Sequence, residues 1–320
     1  MTSAGEEMNR TEILGNVESL FEDAGFHLSR RCCTKPHCFD FVARREDNLL
    51  FTKVQPNIGN IYEKDAYGLT TLSDAFHATS LFICEKTRNK PIEDDTLYMR
   101  YGVRAITLRT LEDALFQGFG PLIEAGPGGY YVKLDGEAIR KERLENGLSM
   151  GKVAEVLGVS RRTLYGYERG MAKASVLTSY KLASILGIPV VEPLDLFQPI
   201  AKTEGFLATA RRIISESRFL RFIIEKLRQF NFTVFQLRRA PFDFVARSPM
   251  NGVTLIGAIA YEEEDNFAIK TEEIVSISKV VGAQPIYLTD SDNIFVDSIP
   301  LIQREDFKKI KCCEDLMARF

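Results

Sequence analysis

The chain is 320 residues long, 45% hydrophobic and 27% charged, with no tryptophan and a net charge of −3. That length suits two or three domains, and the near-balanced charge excludes a protein that coats nucleic acid over its whole surface. No apolar run of about 20 residues is available to span a bilayer, and the polar, acidic start MTSAGEEMNRTEI is unlike a secretion signal, so a cytoplasmic protein with reduced cysteines and no membrane partner is expected.

In chain order, a helix-period stretch from Glu12 to Ala24 comes first, followed by strand-like runs Phe26 to Arg31 and Phe39 to Ala43. A third strand (Leu49 to Gln55), a helix (Thr70 to Ala78) and a strand (Ser80 to Cys84) follow. The segment closes on Val103 to Leu108 leading into Leu111 to Phe116, so residues 1–123 are expected to form an α/β domain. Cys32, Cys33, His37 and Cys38 lie close together within it. They lack the spacing of a zinc knuckle and a second ligand pair, unless Cys312 and Cys313 approach, so no metal is expected.

Residues 124–132 contain Gly126-Pro127-Gly128-Gly129 and read as a Gly/Pro linker. Residues 133–198 are helical by period and end in a stretch holding Pro189 and Pro193, with Pro199 just beyond. Charge is concentrated here: nine Lys and Arg stand against five Asp and Glu between residues 136 and 187, leaving −7 for the remainder. A local basic module in an acidic frame suits one nucleic-acid-contacting domain.

Residues 149–170 carry the pattern of a helix-turn-helix. Ala154 supplies the small residue where two helices cross, and Gly158 supplies a turn residue free to take a left-handed backbone. Val153, Leu157, Val159 and Leu164 are apolar where the helices must bind together, and Ser160 is placed to cap the second helix. With the helix over residues 136–144, the Tyr167-Glu168-Arg169-Gly170 ending and the helix over residues 179–187, this segment resembles the lambda-repressor/Cro class; Met150 stands where that class has Gln. The resemblance implies a five-helix domain that binds double-stranded DNA with its second motif helix (residues 160–169) in the major groove. It implies base contacts by Arg161, Arg162, Tyr165 and Gly166, the arginines favouring guanine, and phosphate contacts by Lys152, Ser160, Arg169 and Lys173. Ala154, Gly158, Val159 and Leu164 are the structural positions of the motif.

The last segment, residues 199–320, repeats the first. The run Phe39-Asp40-Phe41-Val42-Ala43-Arg44 returns 203 positions later as Phe242-Asp243-Phe244-Val245-Ala246-Arg247. Around it lie a helical stretch (Ala210 to Phe230), strands over Phe232 to Leu237 and Val253 to Ile259, a helix over Thr271 to Val281 and a strand over Gln284 to Leu288. Asp297 to Ile302 then leads into Arg304 to Ile310. The helix from Phe219 to Phe230 is apolar enough to be either core or a dimer seam. The order helix, three strands, helix, strand resembles the PD-(D/E)xK nucleases, in which an Asp and an acid-x-Lys hold a divalent metal. Asp40 and Lys53 fit that pattern, but Phe51 replaces the second acid, and the second copy keeps only Asp243. Both aspartates are expected to be structural, bonding backbone or pairing with Arg44 and Arg247.

The fold class expected is α/β plus all-α, two duplicated, degenerate nuclease-like domains flanking the helix-turn-helix domain. With no phosphate-cradling loop and no Ser-His-Asp grouping, neither a cofactor nor a catalytic residue is expected. The run from Ala125 to Gly136 together with the inserted helix-turn-helix resembles the archaeal family of HTH-type transcriptional regulatory proteins. That resemblance implies a DNA-binding regulator; its α/β domains are expected to make it a homodimer, to bind an unknown effector, or to do both. Two other readings stay open: a metal-dependent nuclease targeted by the helix-turn-helix, and a non-catalytic protein-interaction scaffold.

Overall fold

The computed structural model describes residues 9–88, 90–198, 217–248, 252–262, 264 and 266–319. Helix α1 (Arg10–Asp23) is capped by Asn9 and buries Ile13, Leu14, Val17 and Phe21, positions spaced to share one face. Strands β1 (His27–Leu28), β2 (Phe41–Arg45) and β3 (Asn48–Val54) pair antiparallel in sequence. Helix α2 (Glu63–Phe76) then crosses over to β4 (Thr79–Ile83), which lies parallel to β3. All five residues of β4 are buried, as a central parallel strand covered on both faces requires. A small pair, β5 (Lys86–Thr87) and β6 (Lys90–Pro91), precedes β7 (Thr96–Arg100), β8 (Val103–Ile106) and helix α3 (Leu108–Phe116).

The stretch expected to be a linker is a hairpin instead. Strands β9 (Ile123–Gly126) and β10 (Gly129–Leu134) pair across Pro127 and Gly128, because residues that break a strand also turn one. Strand β9 runs parallel to β7, so the sheet of the first α/β body continues without a break into the next segment. There follow α4 (Gly136–Glu145), α5 (Met150–Leu157), α6 (Arg161–Glu168), β11 (Ala174–Ser175), α7 (Val176–Leu186) and β12 (Val191–Glu192). Both β11 and β12 pair with β10. The expected five-helix, wholly helical unit is corrected: among the described residues of 133–198 there are four helices and three strands, counting β10 from Lys133. Pro189 and Pro193 exclude a fifth helix, and the chain there extends and pairs with β10.

The second α/β body holds α8 (Arg218–Gln229), β13 (Thr233–Gln236), β14 (Phe244–Arg247), β15 (Thr254–Ile259), α9 (Phe267–Val281), β16 (Gln284–Thr289), β17 (Leu301–Gln303), α10 (Arg304–Lys309) and α11 (Cys313–Met317). The start of its expected first helix, residues 210–216, lies outside the described residues. Its sheet order β13-β14-β15-β16-β17 repeats β1-β2-β3-β4-β8, with the same two antiparallel and two parallel pairings. Of the two readings of α8, core is the one observed: Phe219, Leu220, Ile223, Ile224 and Leu227 are buried with Phe244, Leu288 and Phe307.

The two bodies pack on each other through one shared apolar core, which joins Phe39, Phe51 and Leu72 to Phe242, Val245 and Ile277. Polar contacts across this seam come from both bodies. The Arg44 Nη1 group donates to the Val280 carbonyl at the C-terminal end of α9 (3.3 Å), while Arg247 reaches His77 at the C-terminal end of α2. Glu273 of α9 accepts from the Cys33 amide (2.6 Å), and Asp65 of α2 takes Arg239 Nε (2.5 Å). Both β2 and β14, and both α2 and α9, thus supply polar groups to the seam, each to a different kind of partner.

Candidate nucleic-acid interface

The middle segment builds a rigid head from short helices, each started by a side-chain cap. Asp135, Ser149, Ser160 and Ser175 accept the amides of Ala138, Lys152, Thr163 and Thr178 at 2.9, 3.1, 3.0 and 3.1 Å. Such caps contribute roughly 1 kcal/mol each. At the end of α5, Gly158 takes a left-handed conformation (φ 71°), and the Val159 amide returns to the Ala154 carbonyl. Ala154 and Leu164 are buried with Val153, Leu157 and Leu182, and Val159 is half-buried against this cluster.

A buried ion pair ties α4 to α6. Arg143 Nε lies 2.5 Å from Glu168 Oε1, its Nη2 donates to Oε2 at 3.1 Å, and its Nη1 donates to the Leu148 carbonyl at 3.0 Å. Both residues are less than 8% exposed. The hydrogen bond to Glu168 pushes the Arg143 guanidinium pKa further up, against its burial, so the charge is secure. The sequence reading gave neither residue a role. The signal was present: Arg143 follows core residue Ile139 by four, and Glu168 follows Leu164 by four, which puts both charges on buried helix faces. Gly136 is a further missed support, since a Cβ there would sit 2.6 Å from the Tyr167 and Glu168 carbonyl oxygens.

The expected contact residues divide by surroundings. Arg162 and Tyr165 are exposed on α6, and the Arg169 guanidinium lies 5.5 Å from the Tyr165 ring centroid. Arg161 is exposed but lies back over the first turn of α5, where a Cβ on Gly151 would meet its Nη2 at 2.9 Å. Gly166 is half-buried, and its carbonyl accepts the Met171 amide. Lys152 pairs with Glu155 at 3.6 Å on an exposed surface, Lys173 pairs with Glu124 of β9, and Ser160 is engaged in its cap.

The nuclease-like positions of the first body form a different kind of cluster. Asp40 accepts the Val54 amide (2.8 Å) and pairs with Arg10 (2.6 Å), with His37 Nε2 at 3.3 Å. The expected partner Arg44 is corrected, because Arg44 turns to the seam instead. Burial would raise the Asp40 pKa, but His37, Arg10 and the Val54 amide outweigh it and hold the carboxyl below its ordinary value. Lys53 reaches Asp65 at 3.4 Å and the His37 carbonyl at 2.7 Å, and Asp65 is shared with Arg239 of the other body. A cation, Arg10, therefore occupies the Asp40 carboxylate that a divalent metal would need. In the second body Asp243 accepts the Ile259 amide (2.8 Å), and burial pushes its pKa up; Arg247, its expected partner, goes to His77. Among the described residues no group of three or more His, Cys, Asp or Glu is placed to hold a metal ion, and Cys32 and Cys38 are buried while Cys33 is exposed.

Two segments of the chain match known families. Residues 10–121 match the PD-(D/E)XK superfamily domain, and residues 139–192 match a helix-turn-helix family. Over 275 residues the chain is 32% identical to a "Putative HTH-type transcriptional regulatory protein" of Methanocaldococcus jannaschii, covering 85% of each. A protein of the same description from Pyrococcus horikoshii is 30% identical over 312 residues, 97% of each. Among solved structures, the restriction-modification controller protein C.AhdI from Aeromonas hydrophila is 36% identical over 17% of this chain and 80% of that one, with a TM-score of 0.16.

Proposed function

This chain belongs to the archaeal family of HTH-type transcriptional regulatory proteins, and from that premise we propose that it regulates transcription by binding specific sequences of double-stranded DNA. The observation that carries the reading is α6, held by a buried ion pair while Arg162 and Tyr165 stand exposed on it. In the major groove Arg162 would bond two acceptors of one guanine, with Tyr165 packing on a neighbouring base. Gly166 allows close approach, and Arg161 reads or positions according to whether it leaves Gly151. Ser160, Lys152, Arg169 and Lys173 hold phosphates; the two lysines must first release Glu155 and Glu124.

The two α/β bodies (1–123 and 199–320) are read as an internal duplication that has kept a nuclease-like frame without its chemistry. Arg10, Lys53 and Arg239 satisfy the carboxylates of the first body, which supports a structural role. Supercoiled plasmid incubated with Mg²⁺ or Mn²⁺ should remain intact at all protein concentrations. Cleavage that Asp40→Ala abolishes would establish an enzyme instead.

Selection from a random duplex library with the full-length protein, at about 0.15 M salt, tests the main reading. A palindromic motif with guanine in each half is expected, from a homodimer on DNA; a single half-site would mean that one head acts alone. On the recovered duplex, Arg162→Ala should weaken binding by roughly 1–3 kcal/mol and relax preference at one base pair. Enrichment of no sequence would favour the protein-interaction scaffold.

A further inference from the structure

We propose that the β9–β10 hairpin is a second DNA-contacting element, a wing whose tip rests on the sugar-phosphate backbone beside the groove entered by α6. The inference rests on the DNA-binding reading of the head and adds a contact which that reading does not contain.

The placement follows from strand register. Tyr131 pairs with Ser175, the cap of α7, and Val132 with Ala174, so the hairpin runs beside the segment that leaves the recognition helix. Past Ser175 the chain turns into α7, and hairpin residues nearer the tip have no partner on that side. On the other side β9 pairs with β7 only at Ile123 and Glu124. The Tyr98 side chain of β7 bonds that of Tyr130, which braces the hairpin, and beyond it Pro127, Gly128 and Gly129 are exposed.

Dimensions carry the tip to DNA. An eight-residue helix is about 12 Å long at 1.5 Å per residue, about the width of the major groove. When α6 lies in that groove, its C-terminal end stands at the groove edge. Residues 169–173 then run over the bordering phosphate strand. The tip extends three residues beyond Tyr131, about 10 Å at 3.4 Å per residue, a reach that keeps it along the same bordering strand.

The tip also has the build of a contact surface. The Tyr131 hydroxyl donates to the Pro127 carbonyl at 3.0 Å, which fixes the turn, and Gly128 takes φ 85°. Absence of side chains at Gly128 and Gly129 lets the backbone approach a phosphate closely. Glu124 of β9 holds Lys173, so the hairpin and a phosphate-contact candidate form one unit.

Charge at the tip provides the test. Pro127→Lys and Pro127→Glu keep Gly128 and the backbone carbonyl that Tyr131 holds. With full-length protein and the duplex recovered by selection, Pro127→Lys should tighten binding about threefold to tenfold and steepen the salt slope by about one phosphate. Pro127→Glu should weaken binding by a similar factor, and the selected sequence should be the same for both. Phe295→Lys and Phe295→Glu, at a residue 86% exposed in the second body, control for net charge and should leave affinity within twofold. Equal affinities for both Pro127 variants, shifts of the same sign, or equal shifts at Phe295 would overturn the wing. A wild-type protein that binds no duplex would instead remove the DNA reading beneath it.

Discussion

Replacing Arg143 by Ala should unfold the DNA-binding head while leaving both α/β bodies folded. The substitution leaves the Glu168 carboxylate buried without a cation and the Leu148 carbonyl without its donor. Breaking one side of such a pair costs about 3–5 kcal/mol, a large part of the stability of a domain this small. Hydrogen exchange on the full chain is the measurement: amides of α5 and α6 should lose protection, those of β3 and β15 should keep it, and sequence-specific DNA binding should disappear. Glu168→Ala should do the same from the other side. The double variant Arg143→Met/Glu168→Leu should recover most of the protection, because an apolar pair of similar volume removes both charges together. Undiminished protection in either single variant would show that the ion pair does not hold α6.

The second large effect is expected at the seam between the α/β bodies. Asp65 is 3% exposed and serves two cations, Lys53 of its own body and Arg239 of the other. Asp65→Ala leaves a Lys that is 9% exposed with only the His37 carbonyl, at an expected cost of about 3–5 kcal/mol. The loop carrying Arg239, also held by the Cys38 amide at 2.8 Å, should become open to proteolysis and exchange faster. Arg30 and Glu272 span the same seam in the open, each side chain 62% exposed. Glu272→Ala should therefore change stability by no more than about 1 kcal/mol. Equal effects at the two positions would mean that burial does not set the strength of this seam.

The expected strands over Leu49 to Gln55 and Gln284 to Leu288 agree with β3 and β16 to within a residue, because short runs rich in apolar residues and bounded by turns mark buried strands. Helix α2 begins at Glu63, seven residues before the expected start at Thr70. Its N-terminal neighbour Tyr62 makes no capping bond, so no local signal marked that start.

What the sequence by itself determined is whatever its local chemistry encodes. The repeated hexapeptide marked two segments that both fold as α/β bodies, and Ala154, Gly158 and Ser160 announced a helix-turn-helix, since a crossing, a left-handed turn and a cap each demand a residue type at a fixed place. The tertiary structure alone decided where long-range partners go. Gly126 to Gly129 could separate two domains or turn a hairpin, and only pairing of β9 with β7 and of β10 with β11 selects the hairpin. Asp40 could pair with Arg44 nearby, yet takes Arg10, while Arg44 crosses to α9. Buried charges choose among partners by the geometry of the packed interior, and separation along the chain carries no information about that geometry.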